Sequence, residues 1–119
     1  HFLNVHEGPQ GIGKQGSPIP LEVGMVLSNE PGYYEANKFG FRCENLVLVK
    51  SVDSTGNLET LAFEDLTMVP FDKNLLDLSL MTDSEIKWLN DYHQKVWKKI
   101  SPFLEGDELK WLKIQTNKI

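Results

Sequence analysis

Two glutamates give this sequence its chemistry. Glu30 and Glu44 each end an apolar run in the stretch VGMVLSNEPGYYEANKFGFRCENLVLV, residues 23–49, and the loop between them holds Pro31, Gly32, Asn37 and Gly40. Those four residues either fix φ or tolerate positive φ, so the plain reading is a β-hairpin. In a symmetric antiparallel hairpin centred on Asn37, opposed residue numbers have a constant sum. Glu30 then faces Glu44, Ser28 faces Leu46 and Val26 faces Leu48. Directly opposed carboxylates repel, and burial raises the cost. A shared proton, an arginine or a metal ion would offset the repulsion; solvation of both glutamates at the rim of an ordinary hairpin would avoid it. Arg42 lies close by on the same face, one cation against two anions.

The elements that position this pair follow from period-2 alternation. Arg42, Glu44, Leu46 and Leu48 share one face; Met25, Leu27, Cys43, Val47 and Val49 share the other. Both faces are largely apolar, as in a sheet covered on both sides. After Val49, the run from Leu58 to Leu66 follows a Ser-Thr-Gly-Asn turn and is expected to pair with residues 41–52. Thr67–Pro70 reads as a short extended piece that Pro70 ends. Ahead of the hairpin, residues 1–9 read as the tail of an element stopped by Gly8-Pro9, with His6 at the stop. Residues 10–20 are loop, and their glycines spell no phosphate-binding motif.

The helical signal comes later. Thr82-Asp83-Ser84-Glu85 is a capping box, and Ile86, Leu89, Val96 and Ile100 recur at helical spacing, predicting a helix over about 83–100 that Ser101-Pro102 ends. A shorter helix is expected over about 107–115, after Gly106. His93 has no second ligand-type residue one turn away and reads as a core histidine. Trp88, Trp97 and Trp111 exceed what two exposed helices need, so they are expected to cover the sheet or meet a partner chain.

Composition bounds the class. A chain of 119 residues suffices for one domain with a core, at the small end, and 40% hydrophobic with 24% charged residues is ordinary for a soluble globular chain. A net charge of −5, with no basic run longer than Lys98-Lys99, argues against a nucleic-acid partner. Cys43 is the only cysteine, which rules out an internal disulfide and favours a reducing compartment; its place in an apolar run predicts a buried, inert thiol. No stretch approaches the roughly 18 apolar residues of a membrane helix, so no membrane partner is expected. A start at His1 rather than methionine is expected of a processed product or a piece of a longer polypeptide.

Three strings, VHEGP at 5–9, NEPGYYE at 29–35 and FGFRCENLVLV at 39–49, together resemble the C-terminal part of the Xaa-Pro aminopeptidases (aminopeptidase P), and WLNDYH at 88–93 resembles the helical extension of their longer, cytosolic form. The resemblance implies an α+β fold: part of a pita-bread catalytic domain over 1–70, followed by a helical extension over 71–119. It implies hydrolysis of the bond between an N-terminal residue and a following proline. Two divalent metals, usually manganese, would be held by two aspartates, a histidine and two glutamates. By motif, the metal-binding glutamates are Glu30 and Glu44, the bridging one being Glu44. His6 would lie by the substrate and help move a proton, and Arg42 and Tyr34 would support the ligands. The resemblance further implies peptide substrates with proline second, a cytoplasmic location and a homodimer formed through the C-terminal region.

The family's aspartate pair and ligand histidine precede VHEGP and are not in this sequence. The isolated chain is therefore expected to be inactive, to bind manganese weakly and to self-associate through exposed sheet. A catalytically dead pita-bread relative acting as a binding module, and a prolidase-like dipeptidase, are the competing readings.

Overall fold

The structure, a computed structural model, describes residues 8–14, 16–53 and 56–119. The chain divides into two compact units, His1–Thr67 and Met68–Ile119. His6 lies outside the described residues.

The first unit is all strand and turn. β1 (Val26–Asn29), β4 (Asn45–Val52) and β5 (Thr60–Asp65) form an antiparallel sheet in the order β1-β4-β5, while β2 (Gly32–Glu35) and β3 (Phe39–Arg42) form a separate two-stranded ribbon. The expected register holds through both: Val26 pairs with Leu48 and Ser28 with Leu46 in the sheet, and Gly32 pairs with Arg42 and Tyr34 with Gly40 in the ribbon. Asn37, at φ 59°, supplies the left-handed turn residue on which the pairing is centred. The expected single hairpin is nevertheless broken in two. Pro31 has no N–H to donate, so only one ladder bond survives at that step, from Cys43 N–H to the Pro31 carbonyl at 3.0 Å. Glu30 and Glu44 flank this break and belong to no strand.

Alternation decides which face is buried. Leu27, Val47 and Val49 form the core of this unit, with Leu21 and Met25 packed on them. The opposite face stays open, and Val26 and Leu46 are each 45% exposed. The expectation of a sheet covered on both faces is thus met on one face only. Cys43 is exposed rather than buried, because it sits in the break between β3 and β4. The third strand pairs as expected, from Val52–Thr60 to Val47–Asp65.

The second unit is helical. Asp72 and Asp77 open two 3₁₀ turns, Lys73–Leu75 and Leu78–Leu80, by accepting the Asn74 and Ser79 N–H groups at 2.9 and 3.0 Å. The Ser79 hydroxyl and N–H hold the Asp77 carboxyl below its ordinary pKa. Residues 67–70 belong to no strand. α1 spans Asp83–Ile100 and opens on the capping box: Thr82 N–H donates to Glu85 Oε2 at 2.8 Å, and Glu85 N–H donates back to Thr82 Oγ1 at 3.3 Å. Asp83 and Glu85 in the first turn and Lys98 and Lys99 in the last complement the helix dipole. α2 spans Gly106–Gln115.

One face of α1 builds the core of this unit: Leu89, Tyr92 and Val96, with Leu112 from α2, are buried, and Phe71, Leu76 and Met81 pack against them. Tyr92 keeps its hydroxyl satisfied by donating to the Val69 carbonyl at 2.8 Å. His93 is fully buried and accepts the Phe71 N–H on Nε2 at 3.1 Å, which assigns the ring proton to Nδ1. Burial, and then the charge of Lys73, push its pKa below the ordinary histidine value. This is a structural histidine, as its sequence context suggests. Trp88 stacks on Tyr92 at 5.6 Å yet stays 51% exposed, and Trp111 is 53% exposed.

Candidate active site

The break in the hairpin is where the charged groups meet. Glu30 leaves the end of β1, Glu44 precedes β4, Arg42 ends β3 and Tyr34 lies in β2. Because the constant-sum register continues across the break, all four come to one place although they come from different strands. Arg42 stands between the two carboxylates. Its Nη1 donates to Glu30 Oε2 and lies 3.8 Å from Glu44 Oε2. Its Nε donates to the Tyr34 hydroxyl at 2.9 Å. That hydrogen bond first, and then the charges of Glu30 and Glu44, hold the guanidinium proton more firmly than usual. On its other side, Glu30 accepts from the Ser28 hydroxyl on Oε1 at 2.8 Å.

The electrostatic question raised by two opposed glutamates is thus answered in part by the arginine. It is also milder than expected. The side chains of Glu30, Arg42 and Glu44 are 18%, 42% and 46% exposed, so only Glu30 carries a substantial desolvation cost. An ion pair this open to solvent orients its members more than it stabilises the fold.

The structure brings Glu30, Glu44, Arg42 and Tyr34 together, and His6 lies outside the described residues. Two polar side chains of the site were missed in the sequence. Ser28 shares the face of Glu30 by the same alternation, and its hydroxyl donates to the carboxylate oxygen that Arg42 does not engage. Asn45, beside Glu44, is 6% exposed and donates to Asp65 Oδ1 at 3.1 Å, tying the start of β4 to the end of β5. An amide on the face of Val47 and Val49 was the available signal.

As a donor set, two carboxylates suit a hard divalent cation. They do not complete a site, and among the described residues no group of three or more histidine, cysteine, aspartate or glutamate side chains could hold a metal. The residues fit a dinuclear site as part of its wall.

Comparison with known proteins identifies the family. The family model described as the C-terminal region of peptidase_M24 matches residues 59–119, and that of metallopeptidase family M24 matches residues 2–51. A probable Xaa-Pro aminopeptidase P from Arthroderma otae is 58% identical over 99% of this chain, and one from Coprinopsis cinerea is 52% identical over all of it. In each case the chain spans 20% of the relative's length. The X-prolyl aminopeptidase of Caenorhabditis elegans, described as a cytosolic enzyme with a di-nuclear active site, superposes with a TM-score of 0.86 at 40% identity, over 100% of this chain and 20% of that one. The fold is the expected α+β part of a pita-bread domain with its helical extension, and the chain belongs to metallopeptidase family M24.

Proposed function

We propose that this segment forms one wall of the active site of an Xaa-Pro aminopeptidase, with Glu30 and Glu44 as ligands of a two-metal centre. The observation that supports this reading best is the convergence of both glutamates on Arg42 at a break in the pairing, where strand hydrogen bonds make no demand on them. The remaining ligands, two aspartates and a histidine, would come from the part of the enzyme that lies outside this sequence. Residues 1–70 would belong to the catalytic domain and residues 71–119 to its helical extension.

Each side chain has a stated task. Glu30 and Glu44 would hold manganese or a similarly hard ion, which when bound supplies an activated water and polarises the scissile carbonyl. Arg42, held by Tyr34, fixes the orientation of Glu30 and stays close enough to Glu44 to bias it. Ser28 fixes the other oxygen of Glu30. His6 would sit beside the substrate and move a proton at the scissile group.

The substrates would be peptides with proline in the second position. The half-exposed Trp88 and Trp111 support a homodimer formed through the C-terminal region. A cytoplasmic location is supported by the description of the worm enzyme as cytosolic. Among the described residues no helix is long and apolar enough to cross a membrane.

The test is hydrolysis of an Xaa-Pro peptide, with manganese present, by the complete polypeptide that contains this segment. Glu44→Ala is expected to abolish it, and an undiminished rate in that variant overturns the reading. The chain by itself is expected to show negligible peptidase activity and weak manganese binding in a calorimetric titration. Tight uptake of two ions would contradict the need for outside ligands.

A further inference from the structure

In the β2–β3 ribbon, alternation puts Gly32, Tyr34, Gly40 and Arg42 on one face, with Tyr34 directly across from Gly40 and Gly32 directly across from Arg42. Both glycines lie against the Tyr34 ring. A β-carbon at Gly40 would stand 2.6 Å from Tyr34 Cδ1 and 3.2 Å from Cε1. One at Gly32 would stand 2.8 Å from the Tyr34 hydroxyl oxygen and 2.9 Å from Cε2. The ring therefore lies flat along the ribbon, spanning a floor that only two residues without side chains provide. Neither glycine has positive φ, unlike Gly8, Gly16, Gly24 and Gly106 among the described residues; a β-carbon at Gly32 would also meet the Phe41 carbonyl oxygen at 3.0 Å, so Gly40 is the position where the ring alone forbids a side chain. Glycine in a strand interior weakens the strand, so two of them on one face of a short ribbon stand out.

The ring's position matters because of what its hydroxyl does. It accepts the Arg42 Nε–H at 2.9 Å, while the same guanidinium reaches Glu30 and Glu44 through Nη1. We propose that Gly40, with Gly32, is a positioning residue: the pair forms a slot that lays the Tyr34 ring flat, aims its hydroxyl at Arg42 Nε and so sets where the guanidinium stands between the two glutamates. A β-carbon at Gly40 lifts the ring, the Nε bond is lost, and Arg42 becomes free to rotate away from Glu44. The consequence for metal binding rests on the function proposed above; the slot itself does not.

The chain's single arginine makes this directly measurable, because its Nε–H gives one side-chain resonance in a ¹⁵N-labelled sample of the chain without metal. In Gly40→Ala, hydrogen exchange at that Nε–H is expected to speed up by about tenfold, the factor that loss of one ordinary hydrogen bond corresponds to. Tyr34→Phe is expected to give a similar increase. Gly13→Ala, at a glycine with open space around it, is expected to leave the rate unchanged. In a Tyr34→Ala background, adding Gly40→Ala is expected to leave exchange as it is in Tyr34→Ala alone and to raise the melting temperature, since alanine suits a strand better once no ring occupies the floor. An unchanged exchange rate in Gly40→Ala overturns the proposal, as does a further increase on adding Gly40→Ala to Tyr34→Ala. If Gly40→Ala does not fold, the double variant decides: folding restored by removing the ring supports the slot, and a double variant that is also unfolded overturns it. None of these readouts involves metal or peptidase activity, so failure of the slot and failure of the proposed function are separable.

Discussion

The two units of this chain solve opposite problems. The helical unit has a small closed core: Leu89, Tyr92, Val96 and Leu112 are each no more than 3% exposed, and the buried His93 accepts a backbone N–H on Nε2 while its Nδ1 has no partner among the described residues. The sheet unit buries Leu27, Val47 and Val49 and leaves Val26 and Leu46 in the open on the side opposite that core. Its polar side chains gather where the pairing breaks. The difference teaches that the core is built by apolar side chains on one face, whereas the charged side chains gather at the open break in the strand pairing. Pro31 marks that break, since it has no N–H to donate.

The sharpest way to break that comparison is to cut into each unit in turn. Leu89→Ala is expected to cost about 2–5 kcal/mol, the loss of transfer energy plus a cavity. Val26→Ala, on the open face, is expected to change stability by no more than about 0.5 kcal/mol. Thermal unfolding followed by fluorescence reports on the helical unit, since Trp88, Trp97 and Trp111 all lie there, and circular dichroism reports on both. Equal losses from the two substitutions would refute the contrast.

Arg42→Lys probes the site without touching a core. Lysine keeps the charge but cannot serve Glu30, Glu44 and Tyr34 from one planar group. Under the function proposed above, hydrolysis of an Xaa-Pro peptide by the complete polypeptide is expected to fall about 10–100-fold, the usual cost of losing a partner that orients metal ligands. The melting temperature is expected to stay close to that of the unaltered protein, because the guanidinium is 42% exposed. A large drop in stability with unchanged activity would make Arg42 a fold residue instead.

A pH titration sharpens the closed character of the helical unit. His93 is kept neutral in the folded state, its pKa pushed down by burial and by Lys73. An unfolded histidine titrates near pH 6.5. As pH falls through that value the unfolded chain takes up a proton that the folded chain refuses, so stability is present above about pH 6.5 and is lost below it. The expected slope is up to about 1.4 kcal/mol per pH unit, continuing until the folded group itself protonates. Urea unfolding between about pH 5 and pH 7.5 measures it, and His93→Gln is expected to remove that part of the slope.

The smallest effect is local. Thr82→Ala removes half of the capping box and is expected to cost about 1 kcal/mol in the same unfolding assay. A cost near zero would show that packing alone places the start of α1.

Legibility in the sequence followed the range of the interactions. α1 was readable to the residue, from the Thr82–Glu85 box to Ser101-Pro102, because caps and helical spacing act within a turn or two. The hairpin register was readable because Asn37 centres a symmetric turn, and one centre sets every pair along both strands. The covering of its faces was not, since alternation says which residues share a face and nothing of what lies on it; Cys43, expected buried, is exposed because the ladder breaks there. Glu30, Glu44, Arg42 and Tyr34 were singled out from motif and register together, and the structure brings their side chains to one place. Ser28 and Asn45 were overlooked because a serine and an asparagine beside a carboxylate have many uses, and only their contacts identify one.

By itself, then, the sequence determined the register of the two strand pairs that flank Glu30 and Glu44, the limits of α1 and the family, all set by local chemistry or by strings of neighbouring residues. Only the tertiary structure decided that the hairpin breaks at Pro31, that Arg42 stands between the two carboxylates, and that the Tyr34 ring holds it there over two glycines. Those facts depend on where side chains from separate strands meet. Alternation constrains such a meeting to one face, and only the packing of the ring, the guanidinium and the carboxylates against each other selects the contact.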